Sequence, residues 1–271
     1  MKEKRFNLYY GDAIEFMRNF DSNSIDCVVT DPPYLINYKE WDSYSFEWHE
    51  LWLYEVERIL KPGGAIYSFM GFSDKTGTVS IGYKFSQLME KYFIVDYRNV
   101  IVWARQKGRG SSKHLKSNRE DIYYGYKKGG TPIWNNLKTL REVITPYVKD
   151  GRPRGWFVDE TGKRVRWTGL GNVWVYSSPQ WNHKTEKQFH SAQKPIMLIE
   201  RLIRLISNEN DIVLDPFAGS GTTGLACLLS NRKFIGIENN KEYFDLAYNR
   251  LKNFDISKFQ DYNSLTKIER S

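Results

Sequence analysis

Apolar residues along this chain follow two rhythms. Short unbroken apolar runs alternate with stretches whose apolar positions recur every three or four residues. The first kind reads as strands buried on both faces, the second as helices packed on one side. Phe6–Tyr10 is the first predicted strand, ending at Gly11-Asp12, and Ala13–Phe20 is the helix after it. Ile25–Thr30 is the next strand. Phe46–Leu60 carries Leu51, Leu53, Val56, Ile59 and Leu60 at helical spacing, and Lys61-Pro62-Gly63-Gly64 is its stop signal. Strands follow at Ala65–Met70, Phe93–Trp103 and Asp121–Tyr126, with a helix within Gly82–Lys91.

From Lys127 to His190 the rhythm fails. Gly, Pro and Trp are frequent and no long periodic segment appears, which predicts an irregular insertion, ordered because its aromatics need burial. The rhythm returns with a helix over Pro195–Ile206; Pro195 sits near its first position, where a missing N–H costs nothing. A strand over Asp211–Leu214 leads into Asp215. A helix over Thr222–Leu229, a strand over Lys233–Ile237 ending at Glu238, and a helix over Tyr243–Leu251 complete the pattern. The last residues are polar and are expected to fray. Alternating strands and helices imply an α/β sheet covered on both faces, with its ligand crevice beyond the C-terminal ends of the strands.

Composition narrows the classes. The 271 residues suffice for one large domain or a domain with an insertion, and a hydrophobic content of 41% supplies a sizeable core. No apolar stretch approaches the roughly 20 residues of a membrane span. The start, MKEKRFNLYYGDA, lacks the apolar centre of a signal peptide, so the expectation is a cytoplasmic protein. Cys27 and Cys227 are isolated in apolar segments and read as packing residues. His49, His114, His183 and His190 form no metal-ligand spacing with them, and no metal is expected.

The net charge of +8 is unevenly placed. Between Arg105 and Tyr176 there are 16 Lys+Arg against 6 Asp+Glu, while the remaining residues hold 24 against 26. The same stretch carries Tyr123, Tyr124, Tyr126, Trp134, Tyr147, Trp156, Trp167 and Trp174. Basic side chains interleaved with aromatics suit phosphate neutralisation and base contact, whereas a merely solvated basic face needs no such concentration. A polyanion partner is the expectation.

Two strand ends carry chemistry. The run Ile25–Val29 stops at Asp31-Pro32-Pro33-Tyr34, which alone is an ordinary turn. Residues 211–224 read DIVLDPFAGSGTTG, where Gly219, Gly221 and Gly224 fit G-x-G-x-x-G between a strand and a helix. That spacing invites a dinucleotide. Against it, the motif lies near the end of the chain, and Asp215 stands just before the loop, poorly placed beside a pyrophosphate and well placed for an ammonium. A ligand with ribose hydroxyls for Glu238, an ammonium for Asp215 and no phosphate satisfies both; S-adenosylmethionine is one. Glycines let the backbone approach it closely.

Together, Asp31-Pro32-Pro33-Tyr34 and Asp215-Pro216-Phe217-Ala218-Gly219-Ser220-Gly221-Thr222-Thr223 resemble the amino-directed DNA methyltransferases. Their order, with a basic insertion between them, is similar to the beta class. Gly11-Asp12-Ala13, Lys61-Pro62-Gly63-Gly64, Gln193-Lys194-Pro195 and Phe234-Ile235-Gly236-Ile237-Glu238 extend the resemblance over nearly the whole chain. It implies a Rossmann-like methyltransferase fold with a circularly permuted, seven-stranded, mostly parallel sheet and a basic target-recognition insertion. The expected organisation is a catalytic part at 1–126, the insertion at 127–190 and a cofactor-binding part at 191–271. The Phe6–Tyr10 strand is expected beside Phe234–Ile237, and Ile212–Leu214 beside Cys27–Thr30.

The resemblance also implies roles. Asp31, Pro32, Pro33 and Tyr34 form the catalytic turn. Asp12 and Ala13 lie at the adenine of the cofactor, with a helix cap the other reading of Asp12. Glu238 takes the ribose, and Asp215 with Gly219, Ser220, Gly221, Thr222 and Thr223 the methionine part. Phe217 packs beside it, Lys194 and Pro195 close the site, and Asp31 borders the cofactor. Arg105, Lys107, Arg109, Lys113 and Lys116 are the expected contacts to double-stranded DNA. Whether a homodimer forms, and whether a cognate restriction endonuclease accompanies the chain, stays open.

The chemistry explains the turn. An exocyclic amine is a poor nucleophile because its lone pair is delocalised into the ring. Two acceptors on its N–H bonds, an Asp31 oxygen and the Pro32 carbonyl, localise that pair, and the double proline limits reorganisation. Tyr34 stacks on a base taken out of the duplex. An Asp at the head of the motif leans toward adenine and a Ser toward cytosine, so adenine N6 is expected and cytosine N4 is the alternative. RNA methylation, an inactive DNA-binding relative and a nicotinamide oxidoreductase are the further readings.

Overall fold

The most apolar of these runs, Ile25–Thr30 and Ala65–Met70, lie at the centre of one sheet. The computed structural model describes residues 5–34, 45–71, 80–109, 117–142, 148–149, 152–153, 155–177, 193–259 and 268–270. In chain order the elements are β1 (Phe6–Tyr10), α1 (Ala13–Arg18), β2 (Ile25–Thr30), α2 (Trp48–Ile59), β3 (Leu60–Met70), α3 (Ile81–Tyr92), β4 (Ile94–Val95), β5 (Ile101–Arg109) and β6 (Ser117–Tyr126). Then come β7 (Leu137–Glu142), β8 (Val148–Lys149), β9 (Arg152–Pro153), β10 (Phe157–Val158), β11 (Arg164–Gly169) and β12 (Val173–Val175). The last are α4 (Ile196–Ile206), β13 (Ile212–Asp215), α5 (Thr222–Leu229), β14 (Lys233–Glu238), α6 (Lys241–Lys252) and β15 (Ile268–Arg270).

Two compact units result, one of Met1–Trp134 and Asn172–Phe254, the other of Asn135–Gly171 and Asp255–Ser271. The first holds a nine-stranded sheet in the order β1-β14-β13-β2-β3-β6-β5-β12, with β4 pairing β6. From β1 to β3 all neighbours are parallel; β6 is antiparallel to β3 and β5, and β12 is parallel to β5. Seven of these strands are the expected mostly parallel sheet. The two-residue β4 and the three-residue β12 are additions. The permuted order is present: β1 pairs β14 in register Phe6↔Phe234 to Tyr10↔Glu238, and β13 meets β2 at Val213↔Cys27 and Leu214↔Val28.

Trp52, Phe85, Met17, Ile25 and Val28 belong to the core of this unit, all buried. Cys27 and Cys227 are free and buried, and burial pushes both thiols up. The expected strand over Phe93–Trp103 is broken. Asp96 accepts from the Arg98 N–H at 3.1 Å and turns Tyr97–Asn99 into a short 3₁₀ segment between β4 and β5. The Lys61–Gly64 stop ends the helix, but β3 already starts at Leu60, with a register shift against Ile25–Cys27.

In the second unit, β10-β11-β7-β15 form an antiparallel sheet and β8 pairs β9. The irregular stretch is thus a set of strands of two to six residues, too short to show a period. Its β10–β11 hairpin is tied by Asp159, whose Oδ1 accepts from Thr161 N, Thr161 Oγ1 and Lys163 N at 2.9, 2.7 and 3.0 Å. Ile268–Arg270, expected to fray, pairs with β7. Arg141 on β7 lies directly opposite Arg166 on β11, with Arg164 two residues along, and all three are exposed. Among the described residues no helix is long and apolar enough to cross a membrane, and no cluster of three or more His, Cys, Asp or Glu suits a metal.

Candidate active site

Parallel strands finish on one edge of a sheet, and here three of them end at or just before an acidic residue. Asp31 follows β2, Asp215 ends β13 and Glu238 ends β14. The central pair is tied directly: Thr30 Oγ1, at the end of β2, donates to Asp215 Oδ1 at 2.8 Å. Asp215 also accepts from Phe217 N at 3.1 Å and, on Oδ2, from Thr223 Oγ1 at 2.6 Å. All of these donors are neutral. Burial raises the Asp215 carboxyl to about 6, against the bonds from Thr223, Thr30 and Phe217.

The loop between Asp215 and α5 is held close. Glu238 accepts from Gly219 N at 2.8 Å on one oxygen and from Asn240 N at 2.8 Å on the other. Burial raises its carboxyl too, opposed by those N–H groups. Gly221 caps α5 at φ 77°, and a Cβ there meets Ala247 Cβ at 2.9 Å, so only glycine fits this turn. Arg250 donates to the Ser220 carbonyl. Phe217 packs at 5.4 Å from Trp48 and 5.5 Å from Trp52.

The Asp31 half is built differently. Lys194 Nζ donates to Asp31 Oδ2 at 2.6 Å, and Tyr34 OH lies 2.8 Å from Oδ1. A fourth group joins them. Glu120 Oε2 is 3.1 Å from Tyr34 OH and 3.3 Å from Lys194 Nζ, while its Oε1 pairs with Arg105 at 2.9 Å. The Lys194 ammonium lies 5.6, 5.1 and 6.0 Å from the ring centres of Tyr34, Phe69 and Trp103. Gly71, just after β3, lets Tyr34 in: a Cβ there lies 3.1 Å from Tyr34 Cδ2. Burial pushes the Asp31 carboxyl up, Lys194 pulls it down and Glu120 adds to the rise; the net direction is up. For Glu120, Lys194 and Arg105 together outweigh burial and hold the carboxyl below its usual range. Asp31 and Glu120 likewise outweigh burial at Lys194 and hold its ammonium above the usual lysine range. Tyr34 is pushed well up, by burial first and then by both carboxylates.

A glycine loop beside an acidic double-proline turn, on adjacent parallel strand ends, is matched by a family model for DNA methylases of the N6/N4 type over residues 25–249. The chain belongs to this DNA methylase family. Among curated relatives, the Type II methyltransferase M.HpaI of Haemophilus parainfluenzae is 34% identical over 269 residues, covering 95% of this chain and 76% of that protein. The DNA adenine methyltransferase YhdJ of Escherichia coli K12 is 31% identical over 275 residues, covering 97% and 87%. The solved M1.HpyAVI–SAM complex superposes with a TM-score of 0.62 at 27% identity, covering 92% of this chain and all of that one.

The structure of this DNA methylase brings Asp31, Tyr34 and Lys194 into one cluster, and Asp215, Phe217, Gly219, Ser220, Gly221, Thr222, Thr223 and Glu238 into the adjoining loop region. Pro32 is buried and Pro33 half-buried behind the turn. Lys194, which the resemblance places at the cofactor, bonds Asp31, and Pro195 caps α4. Asp12 is a helix cap, its Oδ1 accepting from Ile14 N and Glu15 N at 2.9 Å each, and Ala13 is buried in α1. Arg105 is committed to Glu120. Lys107 and Arg109 lie on β5, and Lys113 and Lys116 lie outside the described residues. Sequence reasoning missed Glu120 and the Thr30 bridge. Glu120 lies in the first half of β6, which runs antiparallel and so delivers its earlier residues, not its last, to this edge.

Proposed function

We propose that this DNA methylase transfers the methyl group of S-adenosylmethionine to the N6 amino group of an adenine turned out of duplex DNA. One observation carries the reading: Asp31 and Asp215 stand on neighbouring strand ends, with Thr30 Oγ1 bonded to Asp215 at 2.8 Å. A carboxylate suited to the donor's ammonium thus adjoins a carboxylate suited to the acceptor's amine.

The donor set fits the cofactor. Among the described residues no cation pairs with Asp215 or Glu238, both buried, so an ammonium and ribose hydroxyls supply what these carboxylates lack. The bound cofactor contributes an electrophilic methyl on its sulfonium. The chain's part is to position and polarise. Asp31 accepts one N–H of the target amine and the Pro32 carbonyl the other, which localises the nitrogen lone pair. After transfer the amine nitrogen gives up one proton, and Asp31, whose affinity for a proton burial raises, is the group to take it. Tyr34 stacks on the base. Stacking contributes on the order of 1–3 kcal/mol, which offsets much of an unpairing cost of roughly a few kcal/mol.

Adenine is supported by the Asp at the head of the turn and by the likeness to the Escherichia coli relative, a DNA adenine methyltransferase. Two basic regions support duplex DNA as substrate. One is the stretch containing Lys107, Arg109, Lys113 and Lys116. The other is the sheet face where Arg141 opposes Arg166 beside Arg164. Like charges facing each other across strands repel, and phosphates relieve that repulsion.

The test is to incubate duplex DNA with the protein and S-adenosylmethionine, digest to nucleosides and identify the product by mass spectrometry. N6-methyladenine is expected. N4-methylcytosine overturns the base assignment, and no methylated nucleoside overturns the activity.

A further inference from the structure

We propose that Glu120 is a positioning residue of the methyl-transfer site: it holds Lys194 and Tyr34 in the places from which they grip Asp31, and it offers the Tyr34 hydroxyl a second acceptor when the target amine arrives. The inference rests on the function proposed above.

The geometry is a closed ring. Among the described residues, Asp31 has two side-chain partners, Lys194 at 2.6 Å and Tyr34 at 2.8 Å, and both also reach one oxygen of Glu120, at 3.3 and 3.1 Å. Two carboxylates are therefore joined by two bridges, an ammonium and a hydroxyl. The ammonium has three protons and serves both carboxylates at once. The hydroxyl has one and donates to one carboxylate at a time. Without substrate, both Asp31 oxygens are engaged. An incoming amine needs one of them as its acceptor. With Glu120 Oε2 only 3.1 Å away, the hydroxyl turns its proton there and frees Asp31 Oδ1 without leaving a buried donor unpaired, which is costly.

Charge supports the same role. Lys194 and Arg105 are the cations, Asp31 and Glu120 the anions, so the cluster is balanced. The titratable groups facing Asp31 are Tyr34 from its own turn, Lys194 before α4, Glu120 on β6 and Asp215 on β13, with Arg105 on β5 behind Glu120. Removing the Glu120 charge leaves two cations against Asp31. Its carboxylate then holds a proton less well and becomes a weaker acceptor for the amine. A brace that merely ties β5 to β6 through Arg105 has no such effect on Asp31.

The experiment compares the full-length protein with Glu120→Gln, which keeps the shape and removes the charge. Methyl transfer to duplex DNA is measured across pH, S-adenosylmethionine affinity by calorimetry, thermal unfolding by scanning, and the titration of the Lys194 ε-carbon by ¹³C NMR. Expected is a fall in kcat of roughly 10- to 100-fold, the scale of one lost hydrogen bond to a charged group. Cofactor affinity stays within about twofold. The acidic limb of the rate profile moves to lower pH, because Glu120 raises the Asp31 carboxyl, and Lys194 titrates at lower pH. Glu120→Asp, which restores the charge, recovers part of the rate. An unchanged rate, acidic limb and lysine titration overturn the proposal while leaving methyl transfer by the unaltered protein intact. So does a rate loss that only tracks the folded fraction. Failure of the unaltered protein to methylate DNA overturns the functional reading itself.

Discussion

The two halves of the strand edge use the same side chain for opposite purposes. Among the described residues, Asp215 is held by Thr30, Thr223 and a backbone N–H, whereas Asp31 is gripped by Lys194 within a cluster of two anions and two cations. A buried carboxylate with neutral partners is short of a cation, and the rise of Asp215 to about 6 expresses that shortage. A charge-balanced cluster does not seek a cation; it suits an uncharged base whose amine needs acceptors. On the proposed function, the partners sort the ligands: the charged methyl donor to the Asp215 side, the neutral target to the Asp31 side.

The largest way to break this division is Asp31→Asn. We expect methyl transfer to drop at least about 100- to 1000-fold, as when a preorganised group at the reacting atom is lost. A radiolabelled methyl assay on duplex DNA checks it. Next is Asp215→Asn, for which S-adenosylmethionine affinity falls roughly 10- to 100-fold, corresponding to a charge-assisted bond of about 1.5–3 kcal/mol.

Acidity sharpens the contrast further. The ammonium needs the Asp215 carboxylate, so cofactor binding weakens as pH falls through about 6. For the unliganded fold the sign is reversed. The fold favours protonated Asp215, so its contribution to stability is complete below the ordinary carboxyl value of 3.8 and is lost as pH rises through about 6. Thermal unfolding scans between those pH values check this against Asp215→Asn, which lacks that slope. The smallest effect concerns DNA. Replacing Arg141, Arg164 and Arg166 by Gln leaves kcat at saturating DNA unchanged and lowers the salt slope of binding by about 1 for each phosphate no longer neutralised. Binding titrations over a range of salt concentrations measure that slope.

The Asp215 half, the proposed cofactor side, is legible in the sequence because its carboxylates end strands and its glycines stand at motif spacing. Asp215, Glu238 and the Gly219–Thr223 loop are local features of the chain. The Asp31 half is legible only in part. Asp31 and Tyr34 sit in one short turn, but Glu120 reaches them from within the first half of an antiparallel strand, and no spacing signals that approach. Lys194 is visible as the opening of a helix. Its bond to Asp31 depends on how α4 packs against β2 and α5, which periodicity does not encode. Within Phe93–Trp103 the apolar residues hide the turn that Asp96 makes, so one strand is expected where two are found. The second unit reads as irregular because its strands are only two to six residues long, too short to establish a period.

Side-by-side calorimetry of S-adenosylmethionine binding separates the roles proposed for the two carboxylates. The unaltered protein, Asp31→Asn and Asp215→Asn are titrated under one set of conditions. Asp31→Asn is expected to bind as the unaltered protein does, and Asp215→Asn roughly 10- to 100-fold more weakly. Full affinity in Asp215→Asn, or its loss in Asp31→Asn, contradicts it.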